Sequence, residues 1–257
     1  MKIGVFDSGS GGLTVLRELE NRLPGNEYVY FGDYARAPYG DQPRETIVQY
    51  SKEITDFMLS QNVDMMVVAC NTIVAAAMDE IKAMSSVPVV GVVEPAIEYL
   101  STCGYKNVGV AATTATITSG IYTDSLAAHG ISATAVACPD FVPLIETNNF
   151  GPDLDTAVEK YMGDFVGKGI EAVVLGCTHY PIIRGQLQDF FNKSGESIEL
   201  VDPAMYTANH IDRHREGSAT DNGQRKTTLW FGKVDVSLRK RAGDVLGRDV
   251  EPMMHSL

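Results

Sequence analysis

Val63-Asp64-Met65-Met66-Val67-Val68-Ala69-Cys70-Asn71-Thr72 reads as a buried strand that ends on a thiol and turns directly into a helix. The run from Val63 to Ala69 has no room for the apolar-polar alternation of a half-exposed strand, so both faces are expected to be covered, as in a parallel sheet. Ile170-Glu171-Ala172-Val173-Val174-Leu175-Gly176 has the same texture and leads into Cys177-Thr178-His179-Tyr180-Pro181, with Cys177 placed 107 residues after Cys70. Each half of the chain therefore carries an acidic residue, an apolar strand, a cysteine and a small polar group in that order.

The correspondence extends outward from the two thiols. Glu94, in Val93-Glu94-Pro95-Ala96, follows Cys70 by 24 residues, and Asp202, in Val201-Asp202-Pro203-Ala204, follows Cys177 by 25. Upstream, Ile3-Gly4-Val5-Phe6-Asp7-Ser8 and Val108-Gly109-Val110-Ala111-Ala112-Thr113 stand at matching distances before the cysteines. A repeat of this length is a duplicated domain rather than a solenoid unit. The expected fold is α/β, with two pseudo-symmetric flavodoxin-like or doubly wound domains whose mostly parallel sheets face a shared cleft. Residues 1–98 plus 208–257 are expected to form the first domain, with Asp7 and Cys70. Residues 99–207 are expected to form the second, with Glu146, Cys177 and His179. Ligands of open α/β sheets bind outside the carboxyl ends of the strands, which would bring both thiols to one cleft.

The balance of 21 basic against 33 acidic residues, net charge −12, offers no basic footprint beyond Arg239-Lys240-Arg241, so nucleic acid is not expected as a main partner. The longest uncharged stretch, Asn107 to Thr123, is too short and polar to cross a bilayer, and the early Asp7 leaves no apolar region for a secretory leader. A cytoplasmic protein without membrane contact is the expectation. Its four cysteines are then thiols, and none has zinc-ligand spacing.

The first strand, Ile3 to Phe6, enters Asp7-Ser8-Gly9-Ser10-Gly11-Gly12, a glycine turn before a helix bearing Leu13, Leu16 and Leu19. A phosphate loop is rejected: GK[ST] is absent, GxGxxG is incomplete, and Asp7 sits where a phosphate would. The turn either packs strand on helix or binds a ligand, and Asp7 at a strand end is read as functional. Tyr28 to Gly32 is the second strand, followed by the polar loop from Asp33 to Gly40. Arg44 to Asn62 is a helix with a core face, Val87 to Val93 a strand, and Glu94-Pro95 the start of the next helix. In the second half, Lys106 to Ala111 and Ile131 to Ala137 are strands, and Thr113 to Ser119 supplies hydroxyls that either cap a helix or receive a carboxylate. Asp140 to Glu146 takes the place of the Asp33 to Gly40 loop. A helix starts at Gly151-Pro152-Asp153, Pro181 begins another, and Ile198 to Val201 is the last strand of this half. From Asp202-Pro203 a helix leads into a tail without counterpart in the repeat. Glu216 to Lys226 is expected as an exposed loop, Thr227 to Phe231 as a strand and Val236 to Leu246 as a helix, folding back on the first half.

A buried cysteine is usually a small hydrophobe, and Cys103 and Cys138 are read so. Cys70 and Cys177 differ because each precedes polar groups and a helix start, where the helix dipole stabilises a thiolate. Two thiols on opposite sides of a carbon suit racemisation or epimerisation: one takes a proton and the other returns one.

The set Asp7-Ser8-Gly9, Pro38-Tyr39-Gly40, Cys70-Asn71-Thr72 and Gly176-Cys177-Thr178-His179-Tyr180-Pro181 resembles the glutamate racemases of the cofactor-independent aspartate/glutamate racemase superfamily, over Ile3 to about Ala208. The resemblance implies interconversion of L- and D-glutamate without cofactor or metal, supplying D-glutamate for peptidoglycan, in an enzyme that often forms a homodimer. It implies that Cys70 handles the α-proton of D-glutamate and Cys177 that of L-glutamate, with Asp7 beside Cys70, and with His179 backed by Glu146 beside Cys177. Substrate contacts carry over to Asp7, Ser8, Tyr39, Gly40, Asn71, Thr72, Thr178 and His179, with Thr113, Thr114 and Thr116 as weaker candidates. Whether Asp7 repels negative charge on its thiol or accepts its proton stays open at this level. A racemase for aspartate or another acidic amino acid, a two-lobed binding module and a redox thiol protein with a Cys70–Cys177 disulfide are the alternatives.

Overall fold

The computed structural model describes residues 1–214 and 226–257. Of the expected Glu216 to Lys226 loop, residues 216–225 lie outside the described residues, and Lys226 is the first residue of a strand. The chain divides into two compact units, Met1–Val92 with Ala204–Leu257, and Val93–Pro203. The boundaries expected at 98/99 and 207/208 fall inside helices Val93–Cys103 and Pro203–His214, whereas the contact division falls at the starts of those helices.

The first unit runs β1 (Lys2–Asp7), α1 (Leu13–Arg22), β2 (Glu27–Gly32), α2 (Arg44–Ser60), β3 (Met65–Val68), α3 (Asn71–Met84) and β4 (Val89–Gly91). The second runs α4 (Val93–Cys103), β5 (Asn107–Ala112), α5 (Thr114–Thr118), α6 (Ile121–Ala128), β6 (Ser132–Ala137), α7 (Phe141–Glu146), α8 (Pro152–Met162), β7 (Ala172–Gly176), α9 (Arg184–Lys193) and β8 (Glu199–Val201). The chain then returns through α10 (Pro203–His214), β9 (Lys226–Phe231), α11 (Val236–Leu246) and β10 (Met253–Met254).

Strand order is β10-β9-β2-β1-β3-β4 in one sheet and β6-β5-β7-β8 in the other, and every pairing is parallel. In both, the second strand lies beside the first, then the third, then the fourth. The repeat inferred from the two cysteine strands is thus present as a repeated topology. All four residues of β3 and all five of β7 are buried, which is why neither shows an alternating pattern.

Helices cover these faces through 3.6-residue periodicity: α2 buries Ile47, Ser51, Ile54, Thr55, Phe57 and Met58, and Phe57 packs against Phe31 of β2 with ring centroids 5.0 Å apart. In the second unit Phe141 is the hub, edge-on to Tyr161 and to Tyr180.

The tail joins the first unit. β9 adds to β2 with Tyr28 opposite Thr227, and α11 packs on α1. Arg248 donates from Nη1 and Nη2 to the two oxygens of the buried Glu20 carboxylate, at 2.5 and 2.7 Å. The two-residue β10, pairing beyond β9, has no sequence periodicity to announce it.

Several elements differ from expectation, and the strand expected over Val87 to Val93 is confined to Val89–Gly91 because Val93 already belongs to α4. Asp140 to Glu146 forms a helix rather than the counterpart of a loop, because Phe141 and Ile145, one turn apart, both bury. α4 begins at Val93 rather than at Glu94-Pro95. Pro181 lies in a short 3-10 turn, Tyr180–Ile183, and the helix proper starts at Arg184.

The glycine turn packs over the end of β2. A Cβ on Gly32 would stand 2.2 Å from the Gly9 carbonyl oxygen and 2.6 Å from the Phe231 ring, and one on Gly12 would stand 2.4 Å from Asp7 Cβ. Gly32→Ala therefore forces backbone apart rather than turning a rotamer, and it is expected to cost about 1–3 kcal/mol, the range for overpacking a core. A denaturant-unfolding midpoint equal to that of the unaltered chain would refute this contact as a constraint.

Candidate active site

In the first unit the polar groups gather where β1, β2 and β3 end. Asp7 closes β1 fully buried and turns its Oδ1 back to accept from Gly9 N at 2.8 Å, while the Gly9 carbonyl accepts from Tyr30 Oη at 2.7 Å. The carboxylate is held by the turn it initiates. Cys70 follows β3 as the residue that caps α3, in extended conformation, and its thiol donates to Ser8 Oγ at 3.4 Å. Asn71 and Thr72 are buried in the first turn of α3.

Tyr39 is 1% exposed, and its hydroxyl donates to Asp33, the residue after β2. Burial, with the Asp33 carboxylate next, pushes this phenol well above its ordinary value, so Tyr39 is a neutral donor; Cys70 is among the groups that act on it. Among the described residues, no backbone carbonyl accepts from the amides of Tyr39 and Gly40.

In the second unit Cys177 follows β7, and its sulfur lies 3.9 Å from Nδ1 of His179. On the other side of that ring, Nε2 is 2.6 Å from Glu146 Oε1 at the last residue of α7. Burial opposes a charged imidazole here, but Cys177 and Glu146 together outweigh it and raise His179 from 6.5 to about 10. A ring raised in this way holds its proton more firmly than an ordinary histidine, with Nε2 facing the Glu146 carboxylate and Nδ1 facing the sulfur.

Thr178 is buried between them. Thr113 caps α5 by accepting from Thr116 N, and the two hydroxyls lie 3.0 Å apart. Capping is thus one role those threonines have, and Thr114 is exposed.

Two further groups near Cys177 titrate out of reach. Burial, followed by the influence of Cys177, pushes the Cys138 thiol up, and Tyr180 likewise. Tyr180 donates to the Cys138 carbonyl at 3.0 Å, so Cys138 is a packed core residue as expected. All four cysteines are free thiols. Among the described residues no group of three His, Cys, Asp or Glu side chains is arranged for a metal ion, and no helix is long and apolar enough to cross a membrane.

Asp33 and Arg36 were passed over in the sequence, although Asp33 satisfies the criterion that selected Asp7, an acid at the carboxyl end of a strand. Tyr122 was also missed: it is buried, and burial followed by Asp202 and Cys177 pushes it up. Nothing local in the sequence marks it.

Two units of one topology, each following its third strand with a buried cysteine that is in no disulfide, are the pattern of an amino-acid racemase fold. The chain belongs to the Asp/Glu/Hydantoin racemase family, whose model matches residues 3–211. It is 40% identical to the glutamate racemase of Aquifex aeolicus over 258 residues, covering 100% of this chain and 98% of that one. The crystal structure of glutamate racemase from Thermus thermophilus in complex with beta-chloro-D-alanine superposes with a TM-score of 0.87 at 39% identity, over 100% of this chain and 97% of that one. The Francisella tularensis glutamate racemase in complex with D-glutamate gives a TM-score of 0.89 at 29% identity, with the same coverages of 100% and 97%.

The raised His179 carries a sign that can be checked. A group raised from 6.5 to about 10 contributes stability that is fully present below pH 6.5 and is lost as pH rises through about 10. The unfolding free energy of the unaltered chain minus that of His179→Asn is expected to fall across this window. A difference that stays flat from pH 6.5 to 10 would contradict the raising of His179 by Cys177 and Glu146.

Proposed function

We propose that the chain interconverts L- and D-glutamate by exchanging the α-proton between two thiols, Cys70 and Cys177, with no cofactor. The observation that carries this reading is the equivalence of the two cysteines, each buried, each outside any disulfide, each following the third strand of its unit. The full-length identity with glutamate racemases supplies the substrate, and the reaction is an isomerisation.

An α-proton next to a carboxylate is very weakly acidic, so fixed hydrogen-bond donors must meet the charge that develops as it leaves. Asn71, Thr72 and Thr178 hold the α-carboxylate for this purpose, while Tyr39 and Gly40 present donors to the rest of the substrate and Thr113 and Thr116 make lesser contacts. With D-glutamate, the Cys70 thiolate takes the α-proton and the Cys177 thiol delivers its own to the opposite side of the planar carbanion; with L-glutamate the roles reverse. Asp7 and Ser8 serve Cys70 and contact substrate. His179, held by Glu146, restores the protonation state of Cys177 between turnovers. D-glutamate made this way feeds peptidoglycan, and we place the enzyme in the cytoplasm as a homodimer.

Incubation in heavy water with each enantiomer is the test, following optical rotation and the α-proton signal together. Both enantiomers are expected to approach a racemate with deuterium at the α-carbon; no exchange from either would overturn the reading, and exchange of aspartate alone would move it to a sister substrate. Cys70→Ser and Cys177→Ser are each expected to lower racemisation by roughly 10²–10⁴, the span for losing one acid-base group. Full activity in either variant would end the two-thiol scheme.

A further inference from the structure

We infer that Arg36 is a positioning residue for this reaction, holding the loop that presents Tyr39 and Gly40 by joining Asp33 at the loop's start to Glu53 on α2. The inference rests on the reading of Tyr39 and Gly40 as substrate contacts.

The loop needs such a fastening. Among the described residues, the backbone–backbone bonds of residues 35–42 stay inside the loop, from Arg36 N to Asp33 O and from Gln42 N to Tyr39 O. Only its start is tied by main chain to a strand, where Asp33 N donates to Asp7 O at 3.0 Å. Everything else that locates Tyr39 is made by side chains.

Arg36 stands at the centre of those contacts. Its Nε donates to Asp33 Oδ2 at 2.6 Å, the same oxygen that accepts from the Tyr39 hydroxyl. Its Nη1 donates to Glu53 Oε2 at 2.5 Å, and its guanidinium lies 3.9 Å from the centroid of the Tyr50 ring, which in turn packs against Tyr39 at 5.5 Å. The hydrogen bond from Arg36, and next that from Gln49, holds Glu53 below the usual carboxylate range.

A buried carboxylate without a counter-charge is costly, so removing Arg36 leaves Asp33, only 2% exposed, to find another arrangement and releases the Tyr39 hydroxyl with it. One planar guanidinium bonds two carboxylates and stacks on a ring at once, whereas a lysine ammonium cannot reproduce all three. α2 is the fixed side of this assembly: it buries six residues against the first unit, so Glu53 transmits the rigidity of a packed helix to a loop that lacks its own.

The test is steady-state kinetics of Arg36→Met, which keeps the apolar stem, beside Arg36→Lys, Glu53→Gln, Asp33→Asn and the Arg36→Met/Asp33→Asn double variant. A loop displaced by a fraction of an ångström should raise KM for glutamate on the order of tenfold in Arg36→Met, with kcat changed less because neither thiol is touched. Arg36→Lys should recover part of that loss, and Glu53→Gln should show a smaller rise in KM. In the double variant Arg36→Met should add little to Asp33→Asn, because the charge that Arg36 balances is gone.

An unchanged KM in Arg36→Met, or effects of Arg36→Met and Asp33→Asn that simply multiply, would overturn the positioning role. If Arg36→Met does not fold by circular dichroism, Arg36→Lys and Glu53→Gln decide alone, and unchanged KM in both overturns it. An unaltered chain that exchanges no α-proton from either glutamate enantiomer removes the functional reading itself, which separates the two failures.

Discussion

Parallel strands covered on both faces all deliver their carboxyl ends to the same edge of the sheet, and the chemistry of this chain depends on that constraint. In the first unit β1 ends at Asp7, β2 leads into Asp33 and β3 leads by way of Ala69 into Cys70; in the second, β5, β6 and β7 lead directly into Thr113, Cys138 and Cys177. Helices start soon after several of these positions, so first-turn backbone N–H groups and the positive end of the helix dipole share the edge with the side chains. No long-range folding accident is needed to collect acids, thiols and amides. They collect because the strands run one way.

The duplicated scaffold is furnished differently in its two halves. Where the first unit ends its opening strand on a buried carboxylate, the second has a threonine that caps its own helix. Where Cys70 meets a serine hydroxyl, Cys177 meets an imidazole backed by a glutamate. The second unit has its carboxylate on the short helix α7 instead, bonded to the ring that faces the thiol. Equivalent topology therefore produces two thiols with unequal proton partners.

Much of this was legible in the sequence because it is written locally. The β3 and β7 runs, the helices at Arg44, Pro152 and Val236, the strand β9 and the repeat itself all follow from composition and period over a few turns. Cys70, Cys177, Asp7 and His179 stood out by their place at strand ends. What stayed hidden is what depends on residues far apart: Arg248 meeting Glu20 across 228 positions, or Arg36 meeting Glu53 across 17. Short elements were hidden for another reason. The six residues of α7 hold less than two turns, and two residues of β10 hold no period at all. The Asp33 carboxylate could have been found by the rule used for Asp7, since both follow a strand directly; it was masked by a loop rich in turn-forming residues.

The first unit is interrupted by the second. Its sheet takes β9 and β10 from residues that follow the whole of Val93–Pro203. During synthesis the inserted unit emerges complete while the first unit still lacks two strands and α11, and β2 waits with an open edge. The half that carries Cys177 can reach its final form on the ribosome, but the half that carries Cys70 is assembled last, when the tail closes over α1 and brings Arg248 to Glu20. A reaction that draws on both thiols, as proposed above, therefore waits for β9, α11 and β10.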